Sequence, residues 1–236
     1  MTIRLYLEDA YQREFDAEVL ASAEDWCALS RTAFFPGGGG QPCDRGRLVV
    51  GDEALDVAEV READDGRLWH RVGRTVTLGA PARGALDWPY RYALMRHHAL
   101  MHVVNTVARR DFDALITGVQ LGPGRSRIDF RLPALTRQML DSMEARVNDA
   151  LAEPRPIASG VVTEAEYRAR PELIRTLNVS PPVVDGHVRV VTIAGFDTQA
   201  CGGTHVHSTT EIGRARLAKI DNKGTNNKRF YWTLTP

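Results

Sequence analysis

The side chains with the clearest chemistry form two pairs of equal spacing that lie far apart in the chain. His98 and His102 are four residues apart in a segment of helical periodicity, so their imidazoles project from one helix face about one turn apart. Cys201 and His205 bracket two glycines and a threonine, in a segment that follows a predicted strand as a loop. Thiolate and imidazole groups are good zinc ligands. The two pairs therefore predict one Zn²⁺ ion that joins two elements of a packed domain.

Four candidate ligands leave the role of this zinc open. A closed four-ligand site is normally structural, whereas a catalytic zinc keeps a position for water or substrate. The helical pair also lacks the glutamate of an HExxH motif, since position 99 is alanine. A cysteine that binds zinc is deprotonated, and no base committed to activating Cys201 is apparent in the sequence. We therefore interpret Cys201 as a ligand rather than as a nucleophile.

A run of four glycines, Gly37–Gly40, lies between Thr32 and Gln41, and no regular helix or strand tolerates such a run. A phosphate-binding P-loop would continue with Lys-Ser/Thr, and a dinucleotide fold would place GxGxxG between a strand and a helix. Neither pattern is present. We therefore expect no nucleotide cofactor.

The elements that must position these residues differ between the two halves of the chain. Short apolar runs separated by turn residues predict that residues 1–88 are mostly β. A helix is expected from near Tyr90, then a hairpin that turns at residues 122–125, and a helix over residues 135–152. Thr163 and Glu166 predict a capping box that opens a short helix, and strands fill much of the remainder. These patterns divide the chain into predicted domains at 1–88 and 89–236.

Charge is distributed unevenly although the net charge is zero. Residues 1–88 carry 16 acidic and 10 basic side chains, and the rest carry 14 and 20, which favours the second half as the part that meets an anion. Three widely separated cysteines argue against a disulfide framework and for a reducing compartment. The sequence shows no signal peptide and no apolar run of about 20 residues, so we expect a cytoplasmic protein without membrane contact.

Taken together, these motifs resemble one family. The pair His98-x3-His102 with the distant sequence Cys201-Gly-Gly-Thr-His205 is similar to the metal-binding motifs of the alanyl-tRNA synthetase editing domain and of the free-standing AlaX proteins. The block from Thr32 to Gly46, which contains the glycine run, resembles the glycine-rich motif of the medium-length AlaX class. Pattern and resemblance together imply an α+β fold, in which a β-barrel-like N-terminal domain precedes an α+β editing core with helices on an antiparallel sheet.

The resemblance implies a deacylase that hydrolyses the ester between an amino acid and the 3′-terminal ribose of tRNA, with serine, or glycine, mischarged on tRNA-Ala as the expected substrate. Zinc chemistry fits such a reaction. A pocket that accepts serine and spares alanine must hydrogen-bond the hydroxyl. We assign that contact, or the positioning of water, to Thr32 and Gln41, with Gly38, Gly39 and Gly40 against the substrate. The alternative is that the glycine loop only locks the β-rich half onto the core.

Contact with the acceptor end of tRNA should be largely electrostatic. All three lysines of the chain lie within its last 18 residues, so the candidates are Lys219, Lys223, Lys228 and Arg229. Weaker candidates are Arg125, Arg127 and Arg131. Three other hypotheses stay open: a tRNA-binding module with a structural zinc, a metal-dependent esterase for small molecules, and editing of serine on tRNA-Thr.

Overall fold

The computed structural model describes residues 1–132, 136–174, 181 and 183–235. Helices accompany sheets that are almost wholly antiparallel, so the predicted α+β class is confirmed. The chain forms two compact units, Met1–Ala93 and Leu94–Pro236, and the predicted domain bounds of 1–88 and 89–236 stay a prediction. Within the described ranges, no helix is long and apolar enough to cross a membrane.

Strands dominate the first unit. Its elements are β1 (Ile3–Arg4), α1 (Leu5–Glu8), β2 (Glu14–Ala23), β3 (Trp26–Leu29), β4 (Arg31–Thr32), β5 (Gly46–Val50), β6 (Glu53–Val57), β7 (Glu59–Glu62), β8 (Leu68–Arg71) and β9 (Pro81–Leu86). Seven strands form an antiparallel half-barrel in the order β6-β5-β9-β2-β3-β8-β7, and β1 pairs with β4 in parallel. Phe15, Phe34 and Leu48 lie in the core of this sheet. Position 84 requires glycine because a Cβ there would lie 2.3 Å from the Phe15 ring.

A buried ion pair fixes the segment that follows the glycine run. The guanidinium of Arg91, near the start of helix α2 (Trp88–Phe112), donates to Asp44, and both side chains are about 1% exposed. Arg91 also donates to the carbonyls of Ala10 (2.9 Å) and Ala33 (2.6 Å), and Asp44 accepts the Phe35 N–H. Such full pairing is needed because an isolated buried charge is strongly destabilising. The chain on both sides of the glycine run is therefore held in place.

The second unit contains the rest of α2 and two sheets. Its further elements are β10 (Leu115–Gln120), β11 (Ser126–Arg131), α3 (Arg137–Ala152), β12 (Ile157–Thr163), α4 (Glu164–Ala169), a 3₁₀ turn (Pro171–Leu173), β13 (Val183–Val184), β14 (His187–Ile193), β15 (Asp197–Ala200), a second 3₁₀ turn (Thr209–Glu211), β16 (Arg214–Asn222) and β17 (Asn227–Thr235). One antiparallel sheet has the order β10-β11-β17-β16, and the other has the order β12-β14-β13 with β15 also paired to β14. Buried Ile128, Phe130, Phe230 and Trp232 line the inner face of the first sheet.

Helix α3 covers the edge strand β16 with polar side chains. Asn148 accepts from the Ala215 N–H and donates to the Ala215 carbonyl, each at 2.9 Å, and Glu144 accepts from the Leu217 N–H at 2.8 Å. These bonds replace the partners that a neighbouring strand would supply, so this edge is protected from pairing with another chain.

Several local predictions are confirmed. The long helix begins at Trp88, near the expected Tyr90, and the predicted hairpin is β10 and β11. Thr163 and Glu166 form both bonds of the predicted capping box. The helix expected over residues 135–152 is observed at Arg137–Ala152, and Leu135 lies outside the described residues.

Candidate metal centre

The four predicted ligands converge in the second unit. Helix α2 carries His98 and His102 on one face, with ring centroids 5.2 Å apart, as the i, i+4 spacing predicts. Cys201 and His205 lie in the loop that follows β15. One potential ligand atom from each residue lies within 4.8 Å of those of the other three. The structure therefore brings together two pairs that are about a hundred residues apart in the chain.

The spacing of the ligand atoms suits a metal ion. The Nε2 atoms of His102 and His205 are 3.1 Å apart, and the Cys201 Sγ lies 3.4 Å from Nε2 of His98 and 3.8 Å from Nε2 of His205. A tetrahedral ion bound by imidazole and thiolate would separate its ligand atoms by about 3.3 to 3.6 Å. The three imidazoles are buried and the cysteine is partly buried. The donor set and its spacing thus fit one small divalent metal ion.

Burial adjusts the protonation of the ligands in opposite directions. It lowers the pKa of His98 and of His205 well below the usual value, and neighbouring cationic groups lower both further. Those imidazoles are neutral at physiological pH, which is the form that coordinates a metal. Burial raises the pKa of the Cys201 thiol, and hydrogen bonding from Gly203 and the charge of Arg189 act against that increase. A bound cation is the group that would fully stabilise the thiolate here.

Arg189 holds the loop that carries Cys201 and His205. This residue of β14 donates from Nη1 to the carbonyl of Cys201 at 2.7 Å and to the carbonyl of Gly203 at 3.0 Å. The Cys201 N–H in turn donates to the Arg189 carbonyl at 3.1 Å. Arg189 was not among the residues predicted from the sequence, although a single arginine within the apolar strand His187–Ile193 was a usable signal.

A second contact links the helix with the strand that leads into the loop. Asn105 of α2, three residues after His102, donates to the Gln199 side chain at 3.4 Å, and Gln199 donates to Asp197 at 2.6 Å. All three side chains are largely buried. Because β15 carries Asp197 and Gln199, this chain of bonds ties the helical ligand pair to the loop ligand pair. Asn105, Asp197 and Gln199 were not predicted from the sequence.

Thr32 and Gln41 lie in the first unit and are both buried. The Thr32 hydroxyl donates to His70 Nε2 at 2.9 Å and accepts from the Phe34 N–H at 3.1 Å. The tautomer follows because His70 Nδ1 contacts the Cys27 carbonyl, which can only accept. Burial lowers the pKa of His70 to about 4. Thr32 therefore has a structural role within its own unit, as a hydrogen-bond partner of His70 and Phe34. Its contact with a substrate stays a prediction.

The glycine run adopts a backbone that other residues rarely take. All four residues of Gly37–Gly40 have positive φ, from 58° to 127°. Gly38 and Gln41 exchange two backbone hydrogen bonds of 2.9 Å, so the run closes as a tight turn. A Cβ at Gly38 or Gly39 would meet nothing within 4 Å. The glycines serve the backbone conformation there, and the predicted substrate contact of Gly38, Gly39 and Gly40 is untested.

The four basic candidates for tRNA contact differ in their surroundings. Lys219 and Lys223 are exposed, at 59% and 41% of the side chain. Lys228 is buried, and its ammonium donates to Asn222 Oδ1 (2.8 Å) and to two carbonyls of the β16–β17 turn. Arg229 forms a two-bond ion pair with Asp129, 2.8 Å in each bond, and this partner raises the pKa of Arg229. Lys228 and Arg229 thus both bond groups of the second unit. Because Lys228 is also buried, it is the less suitable of the two for contact with tRNA.

Comparison with known proteins gives the family. Residues 188–231 match the family model described as the threonyl and alanyl tRNA synthetase second additional domain. The chain is 37% identical over 242 residues to the alanyl-tRNA editing protein AlaX-M of Methanosarcina barkeri, with 99% of both chains covered. It is 34% identical over 239 residues to the AlaX-M protein of Saccharolobus solfataricus, with 100% of both covered. The chain belongs to the AlaX-M family of alanyl-tRNA editing proteins.

A ligase relative places the AlaX-M similarity in a wider context. The alanine–tRNA ligase of Ignicoccus hospitalis is 34% identical over 219 residues, which are 92% of this chain and 24% of that ligase. The resemblance drawn from the motifs is therefore confirmed. The family model of residues 188–231 includes Cys201 and His205 but not the helix with His98 and His102.

Proposed function

We propose that this AlaX-M family member is an aminoacyl-tRNA deacylase that edits in trans, hydrolysing the ester of serine, or of glycine, mischarged on tRNA-Ala. The observation that carries the proposal is the convergence of His98, His102, Cys201 and His205 in a chain that matches AlaX-M proteins end to end. Hydrolysis of an ester needs a polarised carbonyl and an activated water, and a metal centre offers a means to both.

The metal in this proposal is zinc. Three imidazoles and one thiolate are typical of zinc sites, and no carboxylate belongs to the cluster formed by the described residues. When bound, zinc would supply a Lewis acid that can polarise the ester or lower the pKa of water. The chain's own contribution is to hold the four ligands in place, through Arg189 on the loop and Asn105 on the helix.

Discrimination between serine and alanine needs a group that bonds the substrate hydroxyl. A site built in this way rejects the smaller substrate because its polar groups would be left unpaired. Thr32 and Gln41 stay our candidates, supported by their buried polar side chains on either side of the glycine run. The competing interpretation is that Thr32 only orders the buried His70, as its hydrogen bonds indicate.

The test is deacylation of Ser-tRNA-Ala, Gly-tRNA-Ala and Ala-tRNA-Ala by the purified protein, with the bound metal quantified in the same preparation. We expect rapid loss of serine with alanine spared. His102→Gln should abolish both zinc binding and turnover, whereas His187→Gln, at an exposed histidine outside the cluster, should change neither. A fully zinc-loaded, folded protein that releases no amino acid from any of the three tRNAs would refute the proposal.

One observation favours a second candidate function. Four protein ligands close a tetrahedral shell, which is the usual arrangement of a structural zinc. The protein would then be a tRNA-binding module, and tRNA binding without turnover would identify it. An esterase for small molecules would be recognised by turnover that does not depend on tRNA. Turnover of Ser-tRNA-Thr in preference to Ser-tRNA-Ala would move the assignment to the threonyl system.

A further inference from the structure

The sheet β10-β11-β17-β16 presents a row of polar side chains on the face opposite its apolar core. The pairing register places Gln120, Arg127, Tyr231 and Lys219 side by side across the four strands. The next row contains Gly118, Asp129, Arg229 and Asp221. Adjacent strands lie about 4.8 Å apart, so Arg127 and Lys219 stand about 10 Å apart with Tyr231 between them. We call this surface, with Arg125, Arg131 and Lys223 at its border, the cationic sheet face.

Tyr231 organises the centre of this face. The Arg125 guanidinium lies 4.9 Å from the centroid of the tyrosine ring, and the Lys219 ammonium lies 5.5 Å from it. Both distances are within the range of cation–π attraction. The Tyr231 hydroxyl donates to Asp221 at 3.1 Å, which fixes the ring from its polar end. One half-buried ring thus holds two exposed cations in defined places without neutralising either of them.

The carboxylates on the face do not balance its cations. Asp129 is shared by Arg229 and Arg127, and Asp221 is shared by Lys219 at 2.8 Å and Lys223 at 3.9 Å. The face therefore carries six cations and two carboxylates, with an excess of four positive charges. The cations are Arg125, Arg127, Arg131, Lys219, Lys223 and Arg229. Among the described residues, Arg125 and Arg131 form no ion pair.

The face has little to offer an apolar partner. The large hydrophobic side chains that are exposed in the described part of the chain lie outside these four strands. At the β16 edge, Arg214 and Arg216 border a groove that is also lined by Asp141, Glu144 and Asp149 of α3, so the positive potential weakens in that direction. The excess charge is therefore concentrated around Tyr231. Regularly spaced cations next to an aromatic ring are typical of surfaces that bind nucleic acids.

We propose that the cationic sheet face binds the phosphate backbone of tRNA, with Arg125 and Lys219 as direct phosphate contacts and Tyr231 as the residue that positions them. This proposal rests on the deacylase function in naming tRNA as the partner. It also narrows the broader set of basic candidates, because it selects residues by their face of the sheet. Lys228, on the opposite face, is not part of it.

The test compares two double variants of the full-length, zinc-loaded protein. Arg125→Gln with Lys219→Gln removes two cations from the face. Arg168→Gln with Arg170→Gln removes two exposed arginines at the end of α4, each of which forms an ion pair, as Lys219 does. The probe is deacylated tRNA-Ala, and its dissociation constant is measured between 50 and 200 mM salt. This assay needs no turnover, so it reports on the face even if the deacylase function is wrong.

The expected results follow from counterion release. Each lost phosphate contact lowers the salt slope of log affinity by about 0.7 to 0.9, which at 0.1 M salt amounts to roughly a five- to eight-fold weaker affinity per contact. The face variant should therefore bind tRNA roughly 25- to 60-fold more weakly, with a slope smaller by about 1.6. The α4 variant should match the wild type. Tyr231→Phe should bind close to the wild type because it keeps the ring that contacts Arg125 and Lys219 and loses only the bond to Asp221, whereas Tyr231→Leu should bind more weakly.

Three results would overturn the proposal. The face variant could retain its affinity and salt slope, or the α4 variant could lose as much affinity as the face variant. Tyr231→Leu could bind as tightly as Tyr231→Phe, which would leave the ring no positioning role. Hydrolysis of seryl-adenosine, which lacks the tRNA backbone, distinguishes a role of the cationic sheet face in tRNA binding from a role in catalysis. If the wild type hydrolyses it, the face variant should do so at the same rate, and a reduced rate would place these residues in catalysis instead.

Discussion

Replacing Arg189 by methionine should weaken metal binding without a direct change in any ligand. The guanidinium donates to the carbonyls of Cys201 and Gly203, at 2.7 and 3.0 Å, and so fixes the backbone at Cys201 and between the two loop ligands. Methionine keeps an unbranched side chain of moderate length but offers no donor. The positive charge that favours the Cys201 thiolate is lost as well.

The structure allows an estimate of the size of this effect. A hydrogen bond from a charged group contributes about 1.5 to 3 kcal/mol. Cys201 is only partly buried whereas Gly203 is buried, so water can replace the lost bond at Cys201 more readily than the one at Gly203. Residues that support metal ligands typically change metal affinity 10- to 100-fold, which corresponds to about 1.4 to 2.8 kcal/mol. We therefore expect Arg189→Met to bind zinc roughly 10- to 100-fold more weakly than the wild type.

The assay is competition for Zn²⁺ against a chelator of known affinity, at fixed pH and salt. Arg189→Lys retains the charge and can reach one carbonyl, so its affinity should lie between those of the wild type and Arg189→Met. Urea unfolding of the metal-free proteins measures the cost to the fold separately. If Arg189→Met binds zinc as tightly as the wild type while its metal-free form is less stable, the loop bonds serve the fold alone and our reasoning is refuted.

Three other predictions concern single residues. Thr32→Val should destabilise the first unit by about 1 to 3 kcal/mol in urea unfolding, since it leaves buried His70 without its partner, and unchanged Ser-over-Ala selectivity would remove Thr32 from substrate recognition. His70 has a folded pKa of about 4, below its unfolded value, so its contribution is intact above pH 6.5 and is lost as pH falls. Lowering the pH from 7 to 4 should reduce the free energy of unfolding of the wild type by up to about 3 kcal/mol more than that of His70→Gln, and equal losses would contradict the assignment. Lys228→Met should lower the free energy of unfolding by about 2 kcal/mol while tRNA affinity changes less than two-fold, because its ammonium bonds the β16–β17 turn; a large loss of affinity would return Lys228 to the tRNA surface.

The metal centre was predictable because its chemistry is local in sequence. Helical periodicity alone places His98 and His102 on one face, and the glycines after Cys201 signal a loop. That the two pairs meet does not follow from spacing, since no local rule connects segments about a hundred residues apart. The combination of motifs with the family resemblance supplied that step, and the observed convergence agrees with it.

The residues that support the centre were harder to find. Arg189 acts on carbonyls 12 and 14 residues away, and Asn105 on a side chain 94 residues away. Such contacts depend on how strands and helices pack, and a single sequence contains no periodic signal for them. A charged or amide residue inside an apolar segment is the available clue, and it indicates that a partner exists rather than which one it is.

The basic residues show most clearly where a pattern reaches its limit. Strict alternation along β16 would put Lys219 on the same face as Leu217, which pairs with Trp232 in the core. A bulge between Leu217 and Lys219 adds one residue, so Lys219 pairs with Tyr231 on the outer face instead. One inserted residue thus moves a cation from the core side to the surface that we propose for tRNA. Counting charges could locate the basic hairpin, but only the register of its strands can separate Lys219, which faces outward, from Lys228, which is enclosed.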